Sequence, residues 1–485
     1  MLTRLKVSGF KNLLEVDVHF GPFTCIAGAN GVGKSNLFDA IAFLSALADR
    51  PFIEAARQVR GGDDPASLFS DPIEGRMSLT AEMLIPKTGS DDFGQPAEAS
   101  STFIRYELVL ALEKSKERFA AARIRLEKEE LSYITKADAE KHLPFDHSKA
   151  WRDSVVVSSR KTSFIQTDED GVRGRVIRLQ SDRMRNDAKS KRGGGKATAF
   201  SADSLPRTVL SSAQNADESR TAVIVRQEMR SWTQLQLEPT ALRSPDDFES
   251  IASIDPSGRH IPSTLARLAG KRASSDSEVF VRLANSLTSL VEDVRSVRVD
   301  RDEARRSLRF MMKDKSGLEL PASSLSDGTL RLVALSVIEL DSSATGLICL
   351  EEPENGIHPQ RVNAMLGLLH RIACDPGAIV DVDNPLRQIV VSTHSPIVVR
   401  AIDVDDVVYA LPKVYRVNGR RVRGVVFEGL MHSWRHRLAG RAIGDGEALA
   451  YLQGSPTTTS PVRPERSLAG HFRKQLQLDL PGAEE

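Results

Sequence analysis

A glycine-rich run near the N-terminus constrains the fold of this 485-residue chain more than any other feature. Residues 28–35 read G-A-N-G-V-G-K-S and fit the pattern G-x-x-x-x-G-K-[ST] at every fixed position. A short β-rich run precedes them, and residues 36–47 carry apolar side chains at helical spacing. A strand, a glycine loop and a helix in this order predict a phosphate cradle, because backbone N–H groups and the positive end of the helix dipole face the same point.

The residue types in this loop predict individual roles. Lys34 can reach the β- and γ-phosphates of a nucleotide, and the Ser35 hydroxyl can ligate Mg²⁺. ATP and Mg²⁺ are therefore the predicted ligands. The other predicted nucleotide-binding residues of the cradle are Asn30, Gly31, Val32, Gly33 and Asn36. A glycine-rich turn that binds no ligand is the alternative interpretation, and the flanking strand and helix argue against it.

Composition excludes few classes of protein. The formal net charge is +1, so overall charge selects no polyanionic partner. Cys25, Cys349 and Cys374 are far apart and two of them lie in apolar runs, which predicts reduced core residues rather than a disulfide or metal set. No apolar stretch approaches the roughly 18 residues that cross a membrane, and residues 2–8 are typical of a strand rather than a secretory signal. We expect a cytoplasmic protein with no membrane partner.

Composition and patterning divide the chain into four predicted segments. Residues 1–180 hold the glycine loop, followed by alternating runs typical of an antiparallel β-meander. Residues 181–295 form an inserted helical arm that begins with a basic loop at 183–196. That loop fits either a solvated linker or a nucleic-acid contact. Residues 296–452 carry the remaining motifs, and 453–485 are expected to form a flexible tail.

Two further motifs lie at the ends of predicted core elements. Ser326, Asp327 and Gly328 open a helical run and would present a second helix N-terminus to phosphate, although such a sequence is also common in turns. Glu351 and Glu352 end an apolar run that is typical of a buried strand. Ligands of α/β folds lie at the carboxyl ends of strands, and adjacent carboxylates repel one another unless a cation offsets them. These features point to the same ligand as the glycine loop.

His394 closes a third apolar strand-like run. A single histidine is more often structural than functional. The context favours function here, because parallel strands of one sheet bring their carboxyl ends to one edge. We therefore expect His394 to lie near Glu352 and the glycine loop.

The four motifs, taken in order, resemble those of the ABC-type ATPases of the SMC, RecF and OLD class. The resemblance rests on residues 28–35, 325–329, 350–353 and 392–395, and extends to 7–12 and 437–444. It covers most of the chain up to about residue 452. It implies an α/β fold, a P-loop NTPase head of the ABC type with a flanking antiparallel β-meander and an inserted helical arm.

The resemblance also implies roles for the later motifs. Glu351 would hold Mg²⁺ through water, Glu352 would polarise the attacking water, and His394 would sense the γ-phosphate. Glu352 and His394 are thus the predicted catalytic residues, and Ser35 and Glu351 the predicted metal ligands. Asn355 would lie on a loop that crosses a dimer interface.

In this class the signature loop acts in trans. Ser326 and Gly328 of one protomer would close on the ATP that Lys34 of the other holds, so that ATP joins a homo-oligomer. Two departures stand out. Glu351 occupies a position where many relatives have Asp, which lengthens the metal arm. Asp327 replaces a more usual small residue, which adds a negative charge near a phosphate and can slow turnover.

Two other features of the class have no clear match. The glutamine loop has only Gln214 and Gln227 as candidates, and neither has positional support. The Toprim nuclease domain of OLD proteins has a Glu before an Asp-x-Asp, whereas Asp403 and Asp405 here precede Glu428. A built-in nuclease is therefore not expected.

Several functions stay open at this point. Stand-alone ATPases of this build resemble the sensor subunits of bacterial anti-phage systems such as Septu and PARIS, which hold a separately encoded nuclease or toxin. The alternative is a RecF-like or SMC-like ATPase that binds double-stranded DNA in repair or chromosome maintenance. A third is a scaffold that binds ATP and barely hydrolyses it. The basic segment 413–441 fits contact with DNA or a partner, or only a solvated hairpin.

Overall fold

The computed structural model describes most of the chain. The described residues are 1–70, 75–113, 122–160, 162–170, 174–182, 197–270, 277–291, 293–417, 419–439, 442–444, 446 and 448. The basic loop at 183–196 and the tail at 453–485 lie outside them. Within the described part of the chain, no helix is long and apolar enough to cross a membrane.

Strands dominate the N-terminal half, and helices are more frequent after residue 200. The strands in chain order are β1 Leu2–Ser8, β2 Val16–His19, β3 Phe23–Ala27, β4 Arg76–Leu84, β5 Thr88–Ser90, β6 Pro96–Glu98, β7 Phe103–Glu113, β8 Arg123–Tyr133, β9 Ile165–Asp170, β10 Gly174–Leu179, β11 Thr198–Ser201, β12 Thr233–Leu235, β13 Asp246–Asp247, β14 Val294–Asp302, β15 Ser307–Asp314, β16 Glu319–Pro321, β17 Gly346–Glu351, β18 Arg387–Thr393, β19 Val407–Val417, β20 Arg420–Leu430 and β21 Ala442–Ile443. The α-helices are α1 Lys34–Leu47, α2 Phe52–Arg57, α3 Ala139–His142, α4 Lys149–Val155, α5 Arg220–Arg230, α6 Pro239–Leu242, α7 Ile261–Ala269, α8 Glu278–Thr288, α9 Asp327–Leu340, α10 Val362–Ile372, α11 Pro396–Arg400 and α12 Trp434–Ala439.

A seven-stranded sheet carries the glycine loop and the later motifs. Its strand order is β12-β17-β18-β3-β19-β20-β21, and β12, β17, β18, β3 and β19 run parallel to their neighbours. Strands buried on both faces need continuous apolar sequence, and all seven residues of β18 are buried. Cys25, Cys349 and Cys374 are buried and form no disulfide, as predicted. The parallel pairing confirms that β3, β17 and β18 end at one edge.

A second sheet of eight strands forms the predicted β-meander. Its order is β11-β10-β9-β8-β7-β4-β1-β2, and every neighbouring pair is antiparallel. Buried and partly exposed residues alternate along β7, which is typical of a sheet with one face in the core. The buried face shares a hydrophobic core with α1. The predicted fold class, an α/β P-loop head with a flanking antiparallel meander, is confirmed.

The helices of the predicted insertion pack into the head. Buried residues of α5 belong to the same hydrophobic core as α1 and the meander. Buried residues of α7 and α8 share a second core with α9 and α10. The strand β12 pairs in parallel with β17 at the edge of the seven-stranded sheet. The insertion therefore contributes to both cores, and the domain boundaries after residues 180, 295 and 452 stay predictions.

One buried amide joins the two large sheets. Gln388 on β18 is fully buried. Its Nε2 donates to the carbonyl oxygens of Leu2 at 2.7 Å and Gly21 at 2.8 Å, and its Oε1 accepts from the Leu2 N–H at 2.8 Å. Two backbone groups of β1 and one of the segment between β2 and β3 therefore have their partner on β18.

We expect the Gln388→Leu variant to lose about 3 kcal/mol in the free energy of unfolding, because each buried backbone group without a partner costs about 1 to 3 kcal/mol. Urea unfolding followed by circular dichroism measures this. Gln166→Leu, at an exposed position of β9, is the matched control and should stay within about 0.5 kcal/mol of the parent. Equal effects of the two substitutions would contradict the role of Gln388 as the link between the sheets.

Candidate active site

The glycine-rich loop connects β3 to α1 in a conformation that only glycine adopts easily. Gly31 and Gly33 have φ values of 76° and 124°. A Cβ on Gly33 would lie 2.5 Å from Nδ2 of Asn12, and a Cβ on Gly28 would lie 2.8 Å from the carbonyl oxygen of Ala410. The glycines are therefore required both by the turn and by the close approach of two neighbouring segments.

Asn12 supports this loop from the outside. Its Nδ2 donates to the carbonyl oxygen of Val32 at 2.9 Å, and its Oδ1 accepts from Nδ2 of Asn36 at 2.8 Å. The Val32 side chain is buried in the core, so only its backbone can face a ligand. Asn30 and Gly31 are exposed at the mouth of the loop.

Lys34 bonds to its own loop. Its Nζ donates to the carbonyl oxygens of Gly28 at 2.6 Å and Ala29 at 3.1 Å, and the residue is 7% exposed. Burial lowers the pKa of Lys34 from its usual value, although nearby carboxylates oppose the shift. A phosphate that entered here would have to compete with two carbonyl groups for the ammonium.

Most of the predicted site residues share one cavity of about 170 Å³. The cavity is lined by Asn30, Gly31, Gly33, Lys34, Ser35, Asn36, Glu351, Glu352 and Ser392. These residues come from the ends of β3, β17 and β18 and from the start of α1. The parallel sheet brings together residues that are more than 300 positions apart in the chain.

Ser35 and Glu351 meet at the floor of this cavity. The Ser35 hydroxyl donates to Oε2 of Glu351 at 2.9 Å. A hydroxyl and a carboxylate are ligands that suit Mg²⁺. Among the described residues, no group of three or more His, Cys, Asp or Glu could hold a metal ion by itself. The site therefore fits a Mg²⁺ ion whose other ligands are phosphate oxygens and water.

Two side chains that the sequence did not predict also contact Glu351. Its Oε1 accepts from Nη2 of Arg60 at 2.8 Å and from Nε2 of Gln234 at 2.9 Å. Arg60 also donates to Asp39 at 3.1 Å. The guanidinium of Arg60 offsets the charge of Glu351, so the carboxylate is neutralised without a metal ion.

Gln234 is the glutamine beside the candidate metal site, in place of the two proposed from sequence. It lies on β12, whose three residues are too few for a periodic signal. Gln227 donates to the carbonyl oxygen of Ser90, and the backbone carbonyl of Gln214 accepts from the Asp92 N–H. Neither of these two candidates, for which the sequence offered no positional support, has a hydrogen bond to Glu351 among the described residues.

Glu352 is held in an unusual backbone conformation by contacts at both carboxylate oxygens. Its φ is 48°, which is uncommon for a residue other than glycine. Its Oε1 lies 2.7 Å from Nδ1 of His394, and its Oε2 accepts from Nδ2 of Asn355 at 2.8 Å. Burial raises the pKa of Glu352, but the hydrogen bonds from Asn355 and His394 outweigh it and hold the pKa below its usual value. Glu352 is therefore a carboxylate at neutral pH and accepts hydrogen bonds.

The third nearby acid, Glu354, has a hydrogen-bond partner at one of its two carboxylate oxygens. Its Oε1 accepts from the Thr393 hydroxyl, and burial raises the pKa of the carboxyl above its usual value. The repulsion within the Glu351, Glu352 and Glu354 cluster is thus relieved by one arginine, one histidine and one hydroxyl.

The signature residues do not line the cavity that contains Lys34. Ser326 caps α9, and its hydroxyl accepts from the Thr329 N–H at 3.2 Å. A Cβ on Gly328 would lie 2.3 Å from the carbonyl oxygen of Gly356, so glycine is needed where α9 packs on the loop after Glu352. Within one chain, the second helix N-terminus and the glycine loop stay apart.

Asp327 forms an ion pair. Its Oδ1 accepts from Nη2 of Arg243 at 2.5 Å. The same Nη2 donates to the carbonyl oxygen of Leu325 at 2.9 Å, and Nη1 donates to that of Pro239 at 3.0 Å. The extra negative charge of the signature loop is therefore balanced by an arginine that the sequence did not connect with it.

One family model matches most of the chain. The family is described as "AAA domain, putative AbiEii toxin, Type IV TA system", and its model matches residues 23–138 and 102–400. The matched part includes the glycine loop, the signature residues, Glu351, Glu352 and His394.

Curated relatives match only short stretches. The chain is 32% identical over 85 residues to the DNA replication and repair protein RecF of Paenarthrobacter aurescens, which covers 17% of this chain and 21% of that protein. It is 48% identical over 46 residues to RecF of Parabacteroides distasonis, which covers 9% and 13%. The chain thus spans about a fifth of the length of the curated relatives it matches.

Solved structures of SMC head domains are also similar. The SMC head domain from Thermotoga maritima matches with a TM-score of 0.33 and 14% identity over 88% of this chain and 98% of that one. The Smc head domain with an extended coiled coil from Pyrococcus furiosus matches with a TM-score of 0.39 and 12% identity over 88% and 96%.

We expect Mn²⁺, used as a probe for Mg²⁺, to bind only together with ATP, because Ser35 and Glu351 supply too few ligands alone. Electron paramagnetic resonance of Mn²⁺ with and without ATP measures this. Glu351→Gln should weaken Mn²⁺ binding in the presence of ATP by about tenfold or more. Glu54→Gln, at an exposed position of α2, is the control. Tight binding of Mn²⁺ to the nucleotide-free protein would contradict the assignment.

Proposed function

The chain belongs to the family described as "AAA domain, putative AbiEii toxin, Type IV TA system", and from this premise we propose that it is a Mg²⁺-dependent ATP hydrolase. It dimerises around ATP and regulates a separately encoded effector in bacterial anti-phage defence. The observation that carries the ATPase part is the single cavity that gathers Lys34, Ser35, Glu351 and Glu352.

The residues of the cavity supply what phosphoryl transfer to water requires, which is mainly positioning and charge stabilisation. The loop N–H groups and Lys34 bind the phosphates. Ser35 and Glu351 would hold Mg²⁺, which offsets phosphate charge when it is bound. Glu352 orients the attacking water through a carboxylate that is ionised at neutral pH. His394 and Asn355 keep that carboxylate in place, since each contacts one of its oxygens.

The separation of the two helix N-termini supports a homodimer. Ser326 is exposed outside the cavity of its own chain and is available to a nucleotide held by a second copy, whereas Gly328 behind it is buried against Gly356. Contacts behind them lead back to the catalytic carboxylate. Nη1 of Arg331 on α9 donates to the carbonyl oxygen of Asn355 at 3.1 Å, and Asn355 donates to Glu352. A phosphate docked at the signature loop therefore acts on the neighbouring Glu352.

The effector is proposed to be a separate chain. The family description names a toxin of a toxin–antitoxin system, which supports a partnership between two gene products. The Asp-x-Asp pair of this chain serves its own backbone: Asp403 accepts from the Asp405 N–H at 2.9 Å, and Asp405 accepts from the Trp434 N–H at 2.9 Å. These carboxylates therefore support a loop, and nuclease chemistry is assigned to the partner.

The alternative function is a DNA-binding ATPase of the RecF or SMC type in DNA repair or chromosome maintenance. The local identity with RecF proteins, which are named for DNA replication and repair, favours it. Double-stranded DNA would then be the partner in place of an effector protein.

We expect Glu352→Gln to lower ATP hydrolysis by at least about 100-fold and to accumulate an ATP-bound dimer, because the amide binds ATP but cannot take a proton from water. Phosphate release and native mass, each with and without Mg-ATP, measure the two effects. Lys34→Ala is the control that should neither bind ATP nor dimerise. A Glu352→Gln variant that hydrolyses ATP at the parental rate would contradict the assignment of the catalytic carboxylate.

The same native mass measurement tests the effector. The protein is co-expressed with its adjacent open reading frame and purified. A second polypeptide that stays bound would support the sensor-and-effector function. An ATP-dependent homodimer that ignores its neighbour would favour the DNA-binding alternative.

We expect Arg243→Ala to weaken the ATP-dependent dimer about fivefold, because Asp327 then faces the partner's phosphate without compensation. Two unit charges about 4 Å apart interact with an energy of about 1 kcal/mol in water, which corresponds to about a fivefold change in the dissociation constant. Analytical ultracentrifugation of the Glu352→Gln background with Mg-ATP measures the dissociation constant. The double variant Arg243→Ala with Asp327→Asn should restore it. If Arg243→Ala and the double variant raised the dissociation constant of the dimer equally, this electrostatic explanation would be contradicted.

A further inference from the structure

A two-stranded basic ribbon extends from the core sheet beside the glycine loop. The strand β19 pairs with β3 only over residues 407–409. The pairing of β19 with β20 continues to Val417 opposite Arg420. The antiparallel pairing confirms the predicted hairpin. Eight residues of β19 project beyond β3, about 25 Å at the usual rise per residue. Since β19 and β3 are parallel, the ribbon projects on the side of the glycine loop.

One face of this ribbon, here called the arginine face, consists of Val414, Arg416, Arg421 and Arg423. Val414 lies opposite Arg423, and Arg416 lies opposite Arg421. Directly opposite residues of an antiparallel pair point to the same face, so the three guanidinium groups lie together. All three arginines are exposed, and Val414 is 61% exposed. Like charges directly opposite one another destabilise a ribbon unless an anion lies between them.

The chain supplies no such anion within the described residues. Residues 413–423 include five lysines and arginines and no acidic residue. None of the three arginines of this face forms an ion pair within the part of the chain that the structure describes. Some exposed arginines elsewhere are compensated: Arg301 pairs with Glu303 at 2.6 Å, and Arg306 pairs with Glu249. The arginine face is therefore a concentration of uncompensated charge in a chain of net charge +1.

The composition of the face favours a nucleic acid over a protein partner. Protein interfaces also use arginine, but they surround it with aromatic and other apolar anchors at their core. Here Val414 is the one apolar side chain among three guanidinium groups. Arginine binds phosphate through two parallel hydrogen bonds, and the major groove of a duplex admits a two-stranded β-ribbon. We propose that the arginine face binds the phosphate backbone of double-stranded nucleic acid.

The base of the ribbon contacts the glycine loop through both of its strands. On β19, the carbonyl oxygen of Ala410 lies 2.8 Å from where a Cβ of Gly28 would be. On β20, a Cβ of Gly424 would lie 3.1 Å from the carbonyl oxygen of Asn12. The side chain of Asn12 in turn donates a hydrogen bond to the glycine loop. A duplex bound to the ribbon would therefore affect the position of the glycine loop. Any effect on ATP hydrolysis rests on the proposed ATPase function. Binding itself does not depend on it.

The test measures binding of the full chain to a fluorescein-labelled 30-base-pair duplex by anisotropy, without nucleotide and over a series of salt concentrations. Each neutralised phosphate contributes about −0.9 to the log–log slope of the binding constant against salt. We expect a triple variant to reduce the magnitude of this slope by about 2.7 and to weaken binding about 100-fold or more at 0.1 M salt. It combines Arg416→Ser, Arg421→Ser and Arg423→Ser. The corresponding Lys variant should keep most of the slope.

The matched control removes the same number of charges elsewhere. Arg301→Ser, Arg305→Ser and Arg306→Ser combined lie at the turn between β14 and β15 and should leave binding within about twofold of the parent. Thermal unfolding of the Ser variant of the arginine face should not fall below that of the parent, since the variant removes a like-charge contact.

Three results would overturn the proposal. They are absence of duplex binding at 50 mM salt, equal losses in the two triple variants, and displacement of the duplex by polyglutamate at equal charge concentration, which would indicate an acidic protein partner. Mg-ATP binding is measured in parallel on the same samples. Duplex binding without any ATP binding would remove the proposed ATPase function and leave the nucleic-acid surface intact.

Discussion

The candidate site depends on the parallel pairing of β17, β18 and β3. In this register Glu351 lies opposite Ser392, and Thr393 lies opposite Ala27. Glu351, Glu352 and Ser392 then line one cavity, and His394 contacts Glu352. A slip of one residue would turn every side chain to the other face of the sheet. All three strands are almost entirely buried.

The charges of the site are balanced within the chain itself. Glu351 is held by Arg60, Glu352 by His394, and the Lys34 ammonium by carbonyl groups of its own loop. A phosphate would offer Lys34 the same kind of oxygen acceptor as these carbonyl groups, and Mg²⁺ would offer Glu351 the same positive charge as Arg60. Under the proposed function, nucleotide binding would exchange these internal partners for phosphate and Mg²⁺, and this exchange would connect the ligand to the surrounding loops.

Two surfaces pack against the loops of the candidate site. The signature loop packs on the segment after Glu352 through Gly328 and Gly356, and the basic ribbon packs on the glycine loop through Ala410. Both contacts are backbone against backbone and leave no room for a side chain. Close backbone packing transmits small displacements, since a dense interior has little free volume. A second copy of the chain and a nucleic acid would thus reach the same cavity from different sides.

The sequence by itself determined the glycine loop, the adjacent carboxylates, His394 at a strand end and the alternating strands of the meander. Each of these features can be recognised from local spacing or periodicity in the sequence. Only the tertiary structure decided that Arg60 and Gln234 contact Glu351, that Arg243 pairs with Asp327, and that Gln388 joins the two sheets. Those residues lie on short elements or carry no pattern of their own. Their partners are distant in sequence, and only the packing of whole strands and helices brings them within hydrogen-bond distance.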